Sequence, residues 1–424
     1  MLALLRTRIH SQSDRLPRVP FICCQIIAFG IVMSLSACRP AISQASRVAW
    51  QHHSPPVQRL TLDEFIVTPL AVDGDGDLWF GHQNLSGEGG VGHLVSGAVG
   101  DQMWEMHPVR PNDQGPESSF VLALVPDGQG GIWVGTVHGG LSHYDGQTHS
   151  WTRIAAPIRD VFAIVPDGAG LWLATFDSGV VHYDTGLQQW TAYTVATTAG
   201  GIQDDQVIKL IPDGAGGLWA GTYGGGVSHY DPESDSWRAL TGASTEGGPG
   251  SEDVRALVAG ESGDLWVGTF GGGISHYDPR RDAWELYTVE TTGRGLASNY
   301  VLTLLPDGDT RLWAGLSNLR GQGGLAYFDG KAWQSYTVAS TGGGLLSDDV
   351  RAIAADGTGG LWVGTRGGGL SHLSADRQTW TVYTADSTGG GLAGDSVMAL
   401  EPDLEGGMWV GTASGLSHLR WRAP

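Results

Sequence analysis

A tryptophan motif recurs along almost the whole chain at a nearly constant interval. An apolar residue, Trp, and then Val, Gly and Thr or close relatives occur eight times, with spacings of 54, 39, 47, 47, 47, 49 and 47 residues. The tryptophans of this motif are Trp79, Trp133, Trp172, Trp219, Trp266, Trp313, Trp362 and Trp409. A repeat of 40 to 50 residues is typical of β-propellers, whose blades each contain four strands.

One repeat, residues 349–384, shows what each unit contains. It has four short runs of alternating apolar residues, separated by Gly, Asp or Ser: Val350 to Ala354, Leu361 to Thr365, Gly369 to Leu373 and Trp380 to Tyr383. Alternation with a period of two, broken by turn residues, predicts four antiparallel strands, which we name A, B, C and D. A single such sheet exposes both faces, so stacking of the copies is needed to bury them.

The two ends of the chain determine the predicted blade count. Strands A, B and C can each be identified eight times, but only seven complete D strands are present, and an additional D-like segment around Trp50 precedes the first strand A. We therefore predict an all-β fold, an eight-bladed β-propeller of four-stranded antiparallel blades in which the N-terminal strand closes the last blade. Such closure removes two free sheet edges. Seven blades plus one irregular unit is the alternative.

The N-terminal region predicts export. Residues 1–37 combine four arginines with an apolar segment, Phe21 to Ser36, as in a lipoprotein-type signal peptide. Leu35-Ser36-Ala37-Cys38 resembles a bacterial lipobox, which predicts lipidation of Cys38. Residues 38–46 would form a spacer and residues 47–424 the propeller. The expected location is the bacterial cell envelope, outside the cytoplasm and lipid-anchored to a membrane; an uncleaved transmembrane anchor is the alternative.

Composition excludes several functions. Cysteines occur only at positions 23, 24 and 38, so residues 47–424 hold no disulfide, thiol nucleophile or Cys-ligated metal. The chain has 24 basic and 44 acidic residues, and without residues 1–37 it has 20 and 43, a formal net charge of −23. Such a charge repels phosphate backbones, so no nucleic acid partner is expected.

No catalytic motif occurs in a suitable context, so the protein is expected not to be an enzyme. An extracytoplasmic lyase or hydrolase that uses Asp253, Asp349 or His138 is the less favoured alternative. No cofactor is expected either. Calcium at Asp73-Gly74-Asp75-Gly76-Asp77 is an alternative to a plain turn there, although the later Glu of an EF-hand loop is missing. The histidines that recur in strand C, such as His93 and His276, are expected to make structural hydrogen bonds.

The repeat unit resembles a known family. Gly-Leu-x-x-Asp-x-Val-x-Ala-Leu, Pro-Asp-Gly-x-Gly-Gly, Leu-Trp-Val-Gly-Thr, Gly-Gly-Leu-Ser-His-Tyr-Asp and Trp-x-x-Tyr-Thr follow one another, most clearly at residues 344–384 and 253–288. This pattern is similar to the two-component regulator propeller repeat and covers essentially all of residues 47–424. The resemblance implies the extracytoplasmic sensor part of a membrane histidine kinase, which binds a ligand, often a glycan fragment. No kinase segment is seen, so a stand-alone lipoprotein form is expected.

The candidate ligand site lies on the face that carries the D to A and B to C connections, because function tends to reside on loops of a rigid scaffold. The residue after strand B varies among the blades, and an aromatic arc of consecutive blades beside a polar ring is the composition expected of a binding mouth. The predicted ligand-binding residues are Phe176, Tyr223, Phe270, Arg366, Asp205, Asp253, Asp349, Arg255 and Arg351.

Two interpretations of this set remain open. In one, it binds a glycan fragment or another small molecule, and the protein is a monomeric sensor or binding protein. In the other, the acids cap turns while the arginines pair with them across blade interfaces. A protein-protein interaction scaffold for a membrane-associated signalling protein is the alternative function.

Overall fold

The computed structural model describes residues 47–53, 65–84, 87–95, 104–109, 115–155, 157–245, 248–260, 263–308, 310–317 and 322–422. The predicted signal peptide and the whole predicted spacer, including the predicted lipidation site Cys38, lie outside these residues. The described residues form 32 strands in eight sheets of four, and one helical turn, α1 (Val338–Thr341). In this part of the chain, no helix is both long enough and apolar enough to span a membrane.

The first four blades use consecutive strands. Blade 1 contains β2 (Phe65–Val72), β3 (Leu78–Asn84), β4 (Gly89–Leu94) and β5 (Trp104–Pro108). Blade 2 contains β6 (Val121–Pro126), β7 (Ile132–Thr136), β8 (Gly140–Asp145) and β9 (Ser150–Ile154). Blade 3 contains β10 (Val161–Pro166), β11 (Gly170–Thr175), β12 (Val180–Asp184) and β13 (Gln189–Tyr193). Blade 4 contains β14 (Val207–Pro212), β15 (Leu218–Thr222), β16 (Val227–Asp231) and β17 (Ser236–Leu240).

The next three blades repeat the pattern, and the last one differs. Blade 5 contains β18 (Val254–Ala259), β19 (Leu265–Thr269), β20 (Ile274–Asp278) and β21 (Ala283–Tyr287). Blade 6 contains β22 (Val301–Pro306), β23 (Leu312–Ser317), β24 (Gly323–Phe328) and β25 (Trp333–Tyr336). Blade 7 contains β26 (Val350–Ala355), β27 (Leu361–Thr365), β28 (Gly369–Leu373) and β29 (Trp380–Tyr383). Blade 8 contains β30 (Val397–Pro402), β31 (Met408–Thr412), β32 (Gly415–Arg422) and β1 (Arg47–His53).

The N-terminal strand closes the ring, as the sequence predicts. Strand β1 pairs antiparallel with β32, with Arg47 opposite Arg422, Trp50 opposite Leu419 and His53 opposite Leu416. The sheet order is β1-β32-β31-β30, so the first described strand completes the last blade. Eight blades with this closure are confirmed, and the seven-blade alternative is wrong.

Apolar side chains pack at each of the eight interfaces between neighbouring blades of the described ring. Between blades 5 and 6, Trp266 packs with Leu304 and Phe328. Between blades 8 and 1, Trp409 packs with Phe80. Each interface removes the two apolar sheet faces from water, which is the main favourable term in folding. A blade is therefore stabilised by its neighbours and not by itself.

The glycine of the Trp-Val-Gly-Thr motif has a packing reason. A Cβ atom added at Gly268 would lie 2.6 Å from Val301 Cγ1 of the next blade, and one at Gly364 would lie 2.5 Å from Val397 Cγ1. Such separations are far below ordinary van der Waals contact, so a larger residue would push neighbouring blades apart. The motif thus allows the inner strands to approach closely.

In six of the blades a carboxylate organises the A to B turn. In blade 4, Asp213 Oδ1 accepts hydrogen bonds from the N–H groups of Ala215 and Gly217 at 2.7 and 2.8 Å. Its Oδ2 is 2.8 Å from Nε2 of His229 in strand C. Burial raises the pKa of Asp213, but the hydrogen bonds from His229 and the two N–H groups outweigh burial and leave the pKa below its ordinary value.

The strand C histidines have the structural role that the sequence predicts. Each pairs with a turn Asp of its own blade, at 2.6 to 3.2 Å: His93 with Asp77, His143 with Asp127, His182 with Asp167, His229 with Asp213, His276 with Asp264, His372 with Asp356 and His418 with Asp403. In blade 6, the Tyr327 hydroxyl donates to Asp307 at 2.9 Å. The sequence reasoning recognised the histidines but not their Asp partners.

Candidate functional site

Strand A of each blade carries a β-bulge near its start. In blade 5, Val254 pairs with Thr269 and Ala256 pairs with Gly268, which leaves Arg255 outside the ladder. The same irregularity occurs in blades 2 to 4 and 6 to 8, and in blade 1 it spans two residues, Thr68 and Pro69. A bulge inserts an unpaired residue, bends the strand and redirects its side chain.

The bulged residues of six blades line one cavity of about 380 Å³. Because these residues come from strand A of blades 3 to 8, the cavity lies on the axis of the ring, and we call it the axial cavity. It is lined by Phe162, Ile208, Arg255, Leu302, Arg351 and Met398 from the bulges, together with Phe176, Lys209, Tyr223 and Phe270.

The predicted aromatic arc is present in this cavity. The N–H groups of Phe176, Tyr223 and Phe270 donate to backbone carbonyls just before strand A, at 3.3, 2.9 and 2.8 Å. These bonds hold the residue after strand B at the mouth of the channel. The rings of Phe176 and Tyr223 are 6.4 Å apart in an edge-to-face arrangement, and Phe162 stacks on Phe176 at 5.5 Å. Tyr223 is 46% exposed, so its ring is accessible to a ligand.

Arg255 lies between two rings of this arc. Its guanidinium carbon is 4.9 Å from the centre of the Tyr223 ring and 5.2 Å from that of Phe270. Its Nη2 donates to Asp253 Oδ2 at 2.8 Å, and its Nε lies 2.6 Å from Asp253 Oδ1. Cation–π contacts and the carboxylate therefore fix the position of the guanidinium.

Arg351 is held in the same way in blade 7. Its Nε and Nη2 donate to the two oxygens of Asp349 at 2.6 and 2.8 Å. Both arginine–aspartate pairs join residues two apart in one chain segment, so the interpretation in which they pair across blade interfaces is wrong. Arg351 uses two of its five guanidinium N–H groups in this fork, which leaves donors for a ligand.

Four of the predicted residues do not line the cavity: Asp205, Asp253, Asp349 and Arg366. Asp205 Oδ1 accepts the N–H of Val195 at 2.7 Å, and thus caps the D to A turn. Asn299, Asp348 and Asp395 cap the equivalent turns. Asp253 and Asp349 occupy the following position, so the sequence reasoning had combined two different positions of the loop. The Arg366 side chain is exposed outside the cavity lining.

Lys209 is a cavity residue that the sequence reasoning missed. It is only 5% exposed, and it stands in β14 where the other blades with the single-residue bulge have Ala or Thr, as in Ala256 and Thr303. Burial lowers the pKa of Lys209 to about 7, and the charge of Arg255 acts in the same direction. The amine is therefore close to half protonated at neutral pH.

We expect Lys209→Met to stabilise the protein at pH 6. The pKa of Lys209 is lower in the folded than in the unfolded chain, so the unfolded chain binds more protons between about pH 7 and 10.5. Lys209 should therefore make the free energy of unfolding of the wild type rise with pH across this window. Met has no charge to bury, so the variant avoids the cost of burying a protonated amine. The gain is up to about 5 kcal/mol at pH 6 and vanishes towards pH 10.

Urea unfolding at pH 6 and pH 9 measures this difference. Lys331→Met is the matched control, because Lys331 is exposed in the blade 6 hairpin turn and is the only other lysine of the chain. A Lys209→Met variant that is less stable than wild type at pH 6 would contradict the assigned cost of the buried amine.

The acidic turn of blade 1 bears on the calcium prediction. Asp73 Oδ1 accepts the N–H groups of Asp75 and Asp77 at 3.1 and 2.9 Å, and Oδ2 accepts the indole N–H of Trp79 at 3.2 Å. Ligand atoms of Asp73, Asp77 and His93 lie within 4.8 Å of one another. These carboxylates already serve the turn and His93, and calcium at this turn stays a prediction.

Comparison with known proteins identifies the repeat. Residues 115–138 and 344–367 match a family model described as two component regulator propeller. The two segments include strands A and B of blades 2 and 7 with the loop before each strand A. A comparison with curated protein sequences finds no match.

Solved structures share the architecture. The computationally designed Ika8 protein aligns with a TM-score of 0.57 and 14% identity over 85% of this chain and 97% of that chain. PorZ is described as an essential surface component of the type-IX secretion system of Porphyromonas gingivalis. It aligns with a TM-score of 0.51 and 17% identity over 81% of this chain and 55% of that chain. The extracellular domain of a putative hybrid two component system from B. thetaiotaomicron aligns with a TM-score of 0.43 and 19% identity over 84% of this chain and 52% of that chain.

This chain thus spans about half the length of the latter two proteins. At such identities the likeness to the designed Ika8 protein and to PorZ concerns the fold alone. Together with the matched repeats and the eight closed sheets, it supports one conclusion. The chain is an eight-bladed β-propeller, and its segments 115–138 and 344–367 match the two component regulator propeller model.

Proposed function

We propose that the protein binds a small anionic ligand with a flat or ring-shaped face, such as a fragment of an acidic glycan, in the axial cavity. The proposal includes binding without turnover, outside the cytoplasm. The observation that supports it is the convergence of Phe176, Tyr223 and Phe270 with Lys209 and Arg255 on one cavity. The cavity of about 380 Å³ falls within the range of small-molecule sites, which is roughly 300–1,000 Å³.

The aromatic side chains favour a ligand with a flat face. Tyr223 presents a half-exposed ring, and Phe176 lies edge-on to it across the blade boundary. Large rigid rings gain contact area at little cost in conformational entropy, since each has only two side-chain torsions. Sugar rings and planar acids offer the complementary surface.

The charges favour an anion. Arg255, Arg351 and Lys209 all line the cavity, although the formal net charge of the whole chain is −20. Positive groups collected in a cleft with low-dielectric walls attract anions and raise their local concentration. The guanidinium groups are fixed by Asp253 and Asp349, so little rearrangement is needed when a carboxylate or sulfate enters.

The family and the location agree with sensing. The matched repeat is described as a two component regulator propeller, and PorZ is described as a bacterial surface component. These descriptions support a location outside the cytoplasm, and we propose that the predicted lipid on Cys38 holds the propeller to a membrane. The ligand signal would pass to a membrane-associated partner.

A thermal-shift screen tests the proposal. The chain from Arg39 to Pro424 is heated with matched pairs of glycan fragments, oligogalacturonate against oligogalactose, and with planar acids and their amides. A ligand that binds only the folded chain adds about 2.7 kcal/mol at 100 times its Kd. The acidic member of a pair is expected to raise Tm more, and mass spectrometry is expected to recover it unchanged.

Other results would contradict parts of the proposal. Equal shifts with the neutral partner argue against the role of the cations. Cleavage of the ligand, abolished by Asp253→Ala or Asp349→Ala, indicates a lyase or hydrolase. A membrane protein that co-purifies while no small molecule raises Tm indicates an interaction scaffold.

Anion binding should be linked to protonation of Lys209. A bound anion favours the charged amine, so its pKa rises from about 7 and the protein takes up roughly half a proton at pH 7. Affinity should then fall as pH rises above 7. Calorimetry in buffers of different ionisation enthalpy measures the uptake, and Lys209→Met should abolish it. A pH-independent affinity in the wild type would contradict this role.

A further inference from the structure

Blade 1 carries three potential metal ligands on the face that packs against blade 2. His93 lies in β4 directly opposite Glu105 in β5, and His107 follows Glu105 by two residues in the same strand. Side chains of opposite residues, and of residues two apart, lie on the same face of a sheet. His93, Glu105 and His107 therefore project together, far from the axial cavity.

The side-chain atoms converge on one point. His93 Nδ1 is 3.9 Å from Glu105 Oε2, and His107 Nε2 is 3.8 Å from the same oxygen. All three ligand atoms lie within 4.8 Å of one another. His93 Nδ1 and His107 Nε2 are each buried without a hydrogen-bond partner among the described residues, and His93 is only 7% exposed. Leaving a buried polar atom unsatisfied costs about 1–3 kcal/mol, so two at one place require an explanation.

An ion pair within the cluster does not provide that explanation. The separations of 3.8 and 3.9 Å exceed a hydrogen bond. A neutral imidazole has one nitrogen with a free electron pair, which is the form that binds metal ions.

We propose that His93 Nδ1, Glu105 Oε2 and His107 Nε2 bind one divalent first-row transition ion of the zinc type. Two imidazoles and one carboxylate form a three-ligand set that Zn²⁺ accepts, with water in the fourth position. Tetrahedral bonds of about 2.0–2.1 Å place ligand atoms about 3.3 Å apart, so each must move by about half an ångström. Glu105, whose side chain is 35% exposed, leaves a route for the ion and its water.

The surrounding groups orient these ligands. Asp77 Oδ2 lies 3.2 Å from His93 Nε2, which places the proton there and the free electron pair on Nδ1. The Trp79 ring stacks on His93 at 3.7 Å between centroids and fixes the imidazole plane. The Tyr144 hydroxyl, from blade 2, donates to Glu105 Oε2 at 3.4 Å. The ion would thus connect β4, β5 and the next blade.

Blade 5 offers an internal comparison. His276 and Glu285 lie opposite each other as His93 and Glu105 do, but Tyr287 occupies the position of His107. Burial raises the pKa of Tyr287, and the hydrogen bond from its hydroxyl to Glu285 raises this pKa further. Tyr also occupies this position in blades 3, 6 and 7. His107→Tyr therefore removes one ligand and introduces the residue that four of the eight blades have at this position.

Metal titration of the chain from Arg39 to Pro424, without a histidine tag and freed of metal by a chelator, tests the proposal. We expect one tight equivalent of Zn²⁺ by calorimetry and a visible absorption spectrum of low-symmetry Co²⁺. His107→Tyr and Glu105→Gln should each weaken Zn²⁺ binding by at least about 100-fold. Loss of a group that only hydrogen-bonds to a metal ligand already weakens binding by about 10- to 100-fold. His138→Ala, which removes an exposed histidine outside the cluster, should leave both readouts unchanged.

Three outcomes would overturn the proposal. They are a wild-type protein with no stoichiometric Zn²⁺ or Co²⁺, unchanged binding in both His107→Tyr and Glu105→Gln, or equal loss in His138→Ala, which would indicate adventitious surface binding. Circular dichroism and Tm of each metal-free variant establish that it is folded before it is titrated.

Discussion

A Tyr223→Ala, Phe270→Ala double variant is expected to bind the axial ligand at least 100-fold more weakly than the wild type. Stacking of a flat ligand on an aromatic side chain contributes about 1–3 kcal/mol per ring. The two rings also flank Arg255 at 4.9 and 5.2 Å, so their removal frees the guanidinium to move. Both effects weaken binding, and each factor of ten in Kd corresponds to about 1.4 kcal/mol.

Calorimetry with the strongest ligand of the thermal-shift screen measures the loss. Val137→Ala is the matched control, because Val137 follows strand B of blade 2 and makes the equivalent backbone bond to Phe120 but does not line the cavity. The control should bind normally. Affinity of the double variant within threefold of wild type would place the ligand elsewhere on the propeller.

The second large effect concerns the closing strand. A chain that begins at Ser54 lacks β1, whose seven residues all pair with β32. If each lost hydrogen bond contributes about 1 kcal/mol, the free energy of unfolding falls by on the order of 5 kcal/mol. Strand β32 also becomes a free edge, which favours association with other chains. We expect a lower Tm and oligomers.

A chain that begins at Arg39 is the control, because it retains β1 and should remain a stable monomer. Addition of a synthetic peptide of residues 45–54 to the shorter chain should restore Tm by filling the vacant edge. Equal Tm and equal monomer content of the two chains would show that the ring does not depend on β1.

The architecture could be predicted from the sequence because every blade repeats the same local signals. Counting strand D against strands A, B and C led directly to the pairing of β1 with β32. The aromatic arc was also predictable, since Tyr223 and Phe270 follow a Trp-x-Gly-Thr motif and Phe176 follows its variant Trp-Leu-Ala-Thr at the same position.

The remaining cavity residues were not predicted because the β-bulges change which way the side chains of strand A point. A regular strand with Val207 facing the core would place Ile208 on the opposite face and return Lys209 to the core face. The bulge between Val207 and Lys209 instead aims Ile208 at the axis. Alternation alone carries no sign of this change, so Phe162, Leu302 and Met398 were missed in the same way.

Loops and cross-strand pairs explain the other misses. Asp205 and Asp253 look equivalent in the sequence, but they differ by one position relative to strand A, and so one caps a turn while the other holds Arg255. The His93, Glu105 and His107 cluster depends on which residues of β4 and β5 face each other. The pattern of the sequence does not predict that register.

Lys209 connects stability and proposed function. Blades 5 and 6 place Ala256 and Thr303 at its position without a charge penalty, whereas Lys209 is buried beside Arg255 at a cost in folding free energy. Costly polar groups are retained in proteins mainly where a site requires them. The location of this cost at the axial cavity supports the cavity as the binding site.

The most direct test of the axial site is ligand protection of Lys209. The chain has two lysines, so reductive methylation followed by mass spectrometry reports on Lys209 in the cavity and on Lys331 at the exposed turn as an internal reference. A saturating ligand from the screen is predicted to suppress methylation of Lys209 and to leave that of Lys331 unchanged. Equal methylation of Lys209 with and without the bound ligand would contradict binding in the axial cavity.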